Sequence, residues 1–213
     1  VLLPAVLALS ACSDATGTGN TGQARVSMSM AGQGAALRVD HAVGDYVANA
    51  LGALTVSQID SMFVRVTSVS ALRASADTAE SSGGWVLLQL TDSGGKRINL
   101  LQLPRQGTDS IGLAAGALTT GNYKNIRLQF DSASAVIRLN QDVTVGGVVF
   151  TKGTAYSLRV PSGILKIPAA GFTVAADSLS TVNLVFDSNA SVGTITATGS
   201  GVLSINPVIR SSK

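Results

Sequence analysis

Apolar and polar residues alternate in short stretches along most of this chain. In Arg25–Met30 every second residue is apolar, and the same holds from Asn125 to Phe130. A period of two is typical of a β-strand that buries one face, and clusters of Gly, Asn, Asp and Ser separate the stretches. The pattern predicts strands at Arg25–Met30, Thr55–Leu72, Trp85–Leu90, Ile98–Leu103, Tyr123–Phe130, Ala135–Leu139, Val148–Thr151, Ala155–Val160, Phe172–Ala175, Thr181–Phe186, Gly193–Thr198 and Val202–Ile209.

This succession of short strands predicts an all-β fold, an antiparallel β-sandwich with Greek-key-like connections. Residues 25–213 form its single domain, and Asp92–Gly95 is a strong turn signal between two apolar runs. Between Arg38 and Leu54 the apolar residues recur at helical spacing, so a short helix near residues 41–52 is one reading of this segment and an irregular loop is the other.

The alternation also predicts which side chains the core contains. The most buried residues should include Trp85, Ile126, Leu128, Phe130, Leu184 and Phe186. In the strand at Tyr123–Phe130, Arg127 and Gln129 should face solvent. Lys124 shares the parity of the buried residues and should therefore lie at the mouth of the core or extend outward along its stem.

The single cysteine of the chain, Cys12, follows an apolar run, Val1–Leu9, and two small residues. The order Leu9-Ser10-Ala11-Cys12 resembles the lipobox of bacterial lipoproteins. The resemblance implies that residues 1–11 are the remnant of a cleaved signal peptide and that Cys12 carries the lipid. The other reading of Cys12 is a small buried hydrophobic residue. Residues 12–24 lack large apolar side chains, which predicts a flexible tether.

The lipobox resemblance also implies a location. Several acyl chains on one cysteine hold a protein stably at a membrane, so we expect an extracytoplasmic protein anchored to a bacterial membrane through Cys12. In lipoproteins of bacteria with two membranes, Asp directly after the cysteine is the inner-membrane retention signal. Ser13 stands there instead, with Asp14 one place later, which favours the outer membrane.

Several motifs in the second half of the chain resemble, in order, those of a bacterial and archaeal family of domains of unknown function, numbered 4382. They are Gly121–Leu128, Val160–Ile167, Leu184–Asp187 followed by Ser191-Val192, and Ile205–Ile209; upstream, Trp85–Leu88 and Ile98–Leu101 also fit. The resemblance covers most of residues 24–210 and departs at Ala31–Leu54. It implies a lipid-anchored or secreted β domain and supplies no catalytic or binding residues.

Charge and composition bear on the partners. The formal net charge is +3, yet the basic residues are scattered along the sequence and only 4% of residues are aromatic. Nucleic-acid binding asks for clustered basic residues, often with stacking aromatics, so we expect no nucleic-acid partner.

The sequence offers little for catalysis. The single histidine, His41, lies beside Asp40 in the segment of uncertain structure, and Glu80 is the only glutamate. We therefore expect no enzyme activity, no catalytic residue and no cofactor. Asp187, Asn189 and Ser191 place oxygen ligands at alternate positions, as a calcium loop does, but the following Gly and Thr depart from the EF-hand pattern. Turn formation is the favoured role for these residues, and no metal site is predicted.

Two functional classes remain. The first is a lipid-anchored binding or adhesive module of the cell envelope, whose partner is an envelope protein or a glycan. The alternative is a structural component that assembles through exposed strand edges. Pro207 supports an edge or a strand end in the last run, because proline lacks the donor that a central strand needs.

Overall fold

The structure, a computed structural model, describes residues 20–32, 54–79 and 83–212. Nearly all of its regular elements are strands, which confirms the all-β prediction. The strands are β1 Thr21–Met30, β2 Ile59–Arg73, β3 Trp85–Leu90, β4 Lys96–Asn99, β5 Ile111–Thr119, β6 Gly121–Phe130, β7 Val136–Leu139, β8 Val143–Val145, β9 Val148–Phe150, β10 Ala155–Arg159, β11 Ile164–Val174, β12 Leu179–Phe186, β13 Thr196–Ala197, β14 Leu203–Ser204 and β15 Ile209–Ser211. One short helix, α1 Ser188–Val192, and two 3-10 turns, Val56–Gln58 and Leu100–Gln102, complete the described elements.

Thirteen strands form one curled sheet, and β8 and β9 form a small separate one. One layer contains β5, β1, β12 and β15, and the other contains β11, β6, β2, β7, β10 and β14. Strand β3 joins the layers because it pairs with both β2 and β5. Most strand pairings are antiparallel, as predicted, and two are parallel: β1 pairs with β12, and β10 pairs with β14. Alternation reports which face is buried but carries no information about strand direction.

The long strand β2 organises the larger layer. Along one edge it pairs with β3 and then β4, and along the other with β6 and then β7. The Asp92–Gly95 turn therefore does not close a hairpin between its flanking strands. Strands β3 and β4 instead pair one after the other with the same edge of β2, in the same direction, and the turn is a short loop between them. The Gly95 N–H donates to the Asp92 carbonyl (3.0 Å) and closes this loop.

The buried side chains of both layers form one hydrophobic cluster. Five of the six residues predicted to be most buried belong to it: Ile126, Leu128, Phe130, Leu184 and Phe186. Trp85 does not. It is half-buried on the outer face, where the Arg127 guanidinium lies 4.5 Å from the centre of a Trp85 ring and the indole N–H donates to the Ala79 carbonyl (3.0 Å).

The strand β6 largely follows its predicted register. Gln129 is exposed, and Arg127 lies on the outer face, half-buried, with its Nε donating to the Ser70 hydroxyl (3.1 Å). Lys124 is half-buried and its ammonium group donates to the Ala76 carbonyl. A register shift between Leu72 and Arg73 on β2 reverses the parity at this end, and Tyr123 becomes buried as well.

Several boundaries differ from the sequence-based expectations. Strand β1 begins at Thr21, so the last residues of the predicted tether, 21–24, belong to the sheet, and Ala24 is buried there. The run Val202–Ile209 divides into β14 and β15, with Pro207 just before β15. Strands β5 and β8 were not predicted, and only the last residues of β11, from Phe172, were. The helix considered for residues 41–52 lies outside the described residues.

None of the helices in the described ranges has the length and apolarity needed to cross a membrane.

The entry of β1 into the sheet depends on Gly22. A Cβ added there would collide with the backbone oxygen of Ala175 and lie 2.8 Å from Cγ1 of Val174. We expect Gly22→Ala to lower the free energy of unfolding by about 1–3 kcal/mol, because a packed backbone cannot yield without displacing its neighbours. Gly94→Ala is the control, since a Cβ at Gly94 meets no atom within 4 Å. Urea unfolding measures both, and equal midpoints for the two variants would contradict the prediction.

Candidate functional site

The residues singled out for lipidation and catalysis lie outside the described residues. Cys12, His41 and Glu80 all fall in segments whose placement is not described. The described ranges contain no group of three or more His, Cys, Asp or Glu side chains that could hold a metal ion. The site is therefore built from other residues.

The residues considered for calcium have defined partners in the fold. Asp187 is the N-cap of α1, where its carboxylate accepts from the Ala190 N–H (2.9 Å). The Ser191 hydroxyl donates to the Asp187 carbonyl and accepts from the Val208 N–H (2.8 Å). Asn189 is exposed. Asp187 and Ser191 thus close the helix and attach the segment before β15 to it.

An open groove lies on the outer face of the larger layer, where β2 runs between β4 and β7. Its volume is about 600 Å³, within the range of about 300–1,000 Å³ usual for ligand pockets. The groove is lined by residues of three kinds. The cationic residues are Arg97 and Arg138, and the apolar residues are Phe63, Val136 and Ala155. The remaining lining residues are acidic or neutral and polar: Asp60, Ser61, Asn99 and Gln102.

The register of the sheet places these residues. Phe63 lies opposite Asn99 on β4 and Val136 on β7, while Arg138 lies opposite Ser61. Between Ile59 and Ser61 the register shifts, so Asp60 is the extra residue of a β-bulge. A bulge re-aims the side chains around it. It allows Asp60 to line the groove although Ile59 and Ser61 on either side are buried.

An arginine stacks on the aromatic ring in the groove. The guanidinium carbon of Arg97 lies 3.9 Å from the centre of the Phe63 ring. Such a cation–π contact holds the guanidinium plane in place while its N–H donors stay available, because Arg97 is exposed. Arg97 is therefore oriented before any ligand arrives.

A second arginine stands directly across from it. Arg65 on β2 is the register partner of Arg97 on β4, and like charges facing each other across two strands are destabilising. The Nε of Arg65 is buried and has no hydrogen-bond partner. In the part of the chain that the structure describes, no carboxylate lies within 4 Å of the guanidinium groups of Arg65, Arg97 or Arg138. None of the three therefore forms an ion pair with a described carboxylate.

One carboxylate lies near this arginine pair without pairing to it. Asp131 follows β6, and hydrogen bonds from the Ser134 hydroxyl and then from the Ala133 N–H lower its pKa, with a smaller contribution from the positive charge of Arg65. Asp131 therefore stays ionised at lower pH than an ordinary aspartate. Its carboxylate is engaged in the turn, where it accepts from Ala133 at 3.0 Å.

The amide of Asn99 has a defined orientation at the groove. Its oxygen accepts from the backbone N–H groups of Met62 (3.1 Å) and Leu101 (3.3 Å), which caps the 3-10 turn that follows β4. The amide N–H groups form no hydrogen bond with a described residue. The groove thus offers two cationic donors, of which Arg97 is held on the Phe63 ring, a neutral donor and, at Asp60, an anionic acceptor.

Sequence reasoning did not find this site. Arg65, Arg97 and Arg138 are far apart in the sequence, and each reads as a polar residue on an alternating strand. Arg97 and Arg138 line one groove, with Arg65 opposite Arg97, because β4 and β7 pair with opposite edges of the same half of β2. The one sequence signal is their shared parity, since all three occupy outward-facing positions next to a buried residue.

These observations define an all-β domain of two layers with a cation-lined groove on the outer face of the larger layer. The chain belongs to the family described as "Domain of unknown function (DUF4382)", whose model matches residues 53–207. The family resemblance of the second half of the chain is thereby confirmed. The match begins at residue 53, so β1 lies before it and the coverage is narrower than the sequence motifs suggested.

No curated protein and no solved structure matches the chain.

Proposed function

We propose that this protein is a binding module of the bacterial cell envelope, anchored through a lipid on Cys12, and that it binds an anionic ligand in the groove along β2. The observation that carries the proposal is the arginine arrangement. Arg97 is held on the Phe63 ring and faces Arg65 across two strands, and neither forms an ion pair with a described carboxylate. An anion bound in the groove at Arg97 would reduce their repulsion and form charge-assisted hydrogen bonds with the Arg97 guanidinium.

Binding without turnover is the favoured activity. The whole sequence contains one histidine and one cysteine, and the cysteine is assigned to the lipid. Enzymes that act near neutral pH commonly use a histidine, a perturbed carboxylate pair or a metal as general base. The groove has one carboxylate, Asp60, among its lining residues. We therefore infer a module that recognises its ligand and does not transform it.

The anchor complements such a role. A protein held outside the cytoplasm by lipid on Cys12, in the outer membrane as Ser13 suggests, would present its groove to envelope polymers. Concentrating many copies on one surface turns weak single-site binding into strong attachment. An adhesive function therefore does not require a tight groove.

A second candidate function is assembly through strand edges. It is favoured by the small sheet of β8 and β9, which pair with no other strand among the described residues, and by Val149 on β9, which is 68% exposed. Exposed strand edges can accept a strand from another chain. A mass that rises with concentration in light scattering, and that Val149→Lys returns to the monomer value, would favour assembly over ligand binding.

The groove is tested with a generic polyanion. The full chain carrying Cys12→Ala, which removes the acylation site, is measured against immobilised sulfated dextran by biolayer interferometry at low and physiological salt. Replacing Arg97 and Arg138 with Gln should weaken binding by about 100-fold, because each lost charge-assisted hydrogen bond is worth about 1.5 kcal/mol or more.

The control variant removes two positive charges, as R97Q/R138Q does, but at positions outside the groove. Arg25 on β1 and Arg210 on β15 belong to the other layer, and R25Q/R210Q should weaken binding about threefold at most, through long-range attraction alone. Equal losses in the two double variants would mean that net charge, and not the groove, attracts the polymer. That result would refute the proposed function.

A further inference from the structure

Resting on the proposed function, we propose that the ligand is an acidic polysaccharide whose sugar rings carry both carboxylates and hydroxyls, as a polyuronate does. The groove combines separated arginines, one carboxylate, a free amide donor and an apolar lining. The proposal follows from how these four features are distributed along β2.

The cations are spaced for a chain and not for one small anion. Arg97 lies opposite Arg65 and Arg138 lies opposite Ser61, on opposite edges of β2. Four residues along a strand span about 13 Å and two strand spacings about 10 Å, so the two Cα atoms are about 16 Å apart. Planar guanidinium forks bind carboxylates in a bidentate manner. A linear polymer with a carboxylate on successive rings can engage both ends of the groove.

Asp60 argues against a ligand that is anionic throughout. Its carboxylate lines the groove near the end where Arg138 lies opposite Ser61, and it forms neither a hydrogen bond nor an ion pair with the described residues. This charge would weaken the binding of a phosphate- or sulfate-dense polymer. Sugar hydroxyls would instead donate to it, and hydrogen bonds to a charged group are among the stronger ones.

The remaining lining fits a sugar ring. The Asn99 amide oxygen is occupied by two backbone N–H groups, so its own N–H groups are the part available to donate to a ring or hydroxyl oxygen. Val136, Ala155 and the uncovered part of Phe63 give an apolar surface for the C–H face of a pyranose. Hydroxyl donors, hydroxyl acceptors, carboxylates and C–H faces occur together in an acidic polysaccharide.

The test compares three polymers on the full chain carrying Cys12→Ala in calcium-free buffer: polygalacturonate, the same polymer with its carboxyl groups reduced to alcohols, and sulfated dextran. Polygalacturonate should bind, and R97Q/R138Q should weaken it about 100-fold, as for two lost charge-assisted contacts. The reduced polymer should bind at least about tenfold more weakly than polygalacturonate, because it keeps the hydroxyls and loses the carboxylates.

The distinguishing variant is Asp60→Asn, for which the two anionic polymers should respond in opposite directions. Affinity for polygalacturonate should fall about tenfold, through loss of the charged hydroxyl acceptor. Affinity for sulfated dextran should rise about threefold, through loss of repulsion at a surface site. Asp60→Ser repeats the measurement, and a thermal midpoint equal to that of the parent chain shows that each variant is folded.

The outcomes separate this inference from the proposed function. If sulfated dextran binds through Arg97 and Arg138 while polygalacturonate does not, the inference is overturned and the anion-binding groove stands. If Asp60→Asn raises both affinities, the groove attracts charge alone and the inference is likewise overturned. Groove-dependent binding to phosphatidylglycerol vesicles but to neither polymer would assign the groove to lipid headgroups and overturn it too. Binding that R25Q/R210Q weakens as much as R97Q/R138Q would overturn both proposals.

Discussion

Replacing Phe186 with Ala should lower the free energy of unfolding by about 3–5 kcal/mol. Phe186 has no exposed surface and lies at the end of β12, between Met30 on the parallel strand β1 and Ile209 on β15. Removing the ring deletes apolar contacts and leaves a cavity between three strands that cannot all move inward. Because a domain is stable by only about 5–15 kcal/mol, a large part of the stability should be lost.

Leu179→Ala is the matched control on the same strand. Leu179 is the first residue of β12 and is 56% exposed, so its truncation should change the stability by at most about 0.5 kcal/mol. Chemical denaturation of the full chain followed by circular dichroism measures both variants. If Phe186→Ala unfolded at the same urea concentration as Leu179→Ala, the end of β12 would not be part of the core.

Replacing Cys12 with Ala should move the protein out of the membrane fraction. If the lipobox resemblance is valid, Cys12 is the site of acylation, and two or more acyl chains hold a protein stably where none would. The chain is expressed behind a Met-initiated leader with a positively charged start, and the membrane and soluble fractions are compared by immunoblot. We expect the parent chain in the membrane pellet and the Cys12→Ala variant soluble or unprocessed.

The neighbouring substitution Ser13→Ala serves as its control, since it keeps the cysteine and should leave the protein in the membrane. Intact-mass analysis should show a mature chain that begins at Cys12 and carries the added mass of its acyl chains. An unmodified Cys12 in the membrane fraction would exclude the lipid anchor. The groove would then need another means of reaching the cell surface.

The alternation of residue types was enough to predict most of the strands. Strand β3 has the predicted bounds, Trp85–Leu90, and Ile126, Leu128 and Phe130 of β6 are buried as expected. Burial on one face imposes a period of two on these stretches, so the local sequence carries the information. The family followed from the order of short motifs for the same reason, since each motif is a local run.

Strand β5 could not be predicted from its own residues. Its sequence, IGLAAGALT, consists mostly of Ala, Gly and Leu, which lack the β-branched and aromatic residues typical of strands. It becomes a strand because β1 and β3 lie on either side and supply its hydrogen bonds. Trp85 is the opposite case. Its size suggested the core, yet a place on the outer face and an arginine stacked on its ring leave it half-buried.

The sequence by itself determined the strand-rich architecture, the outward positions of the arginines and the candidate anchor at Cys12, because each depends on neighbours in the chain. Only the tertiary structure decided the parallel pairing of β1 with β12 and the groove itself. Arg97 and Arg138 line the same groove, with Arg65 opposite Arg97, because three strands from distant parts of the chain pair in one register. Which strands pair is decided by long-range contacts that no local pattern of residues records.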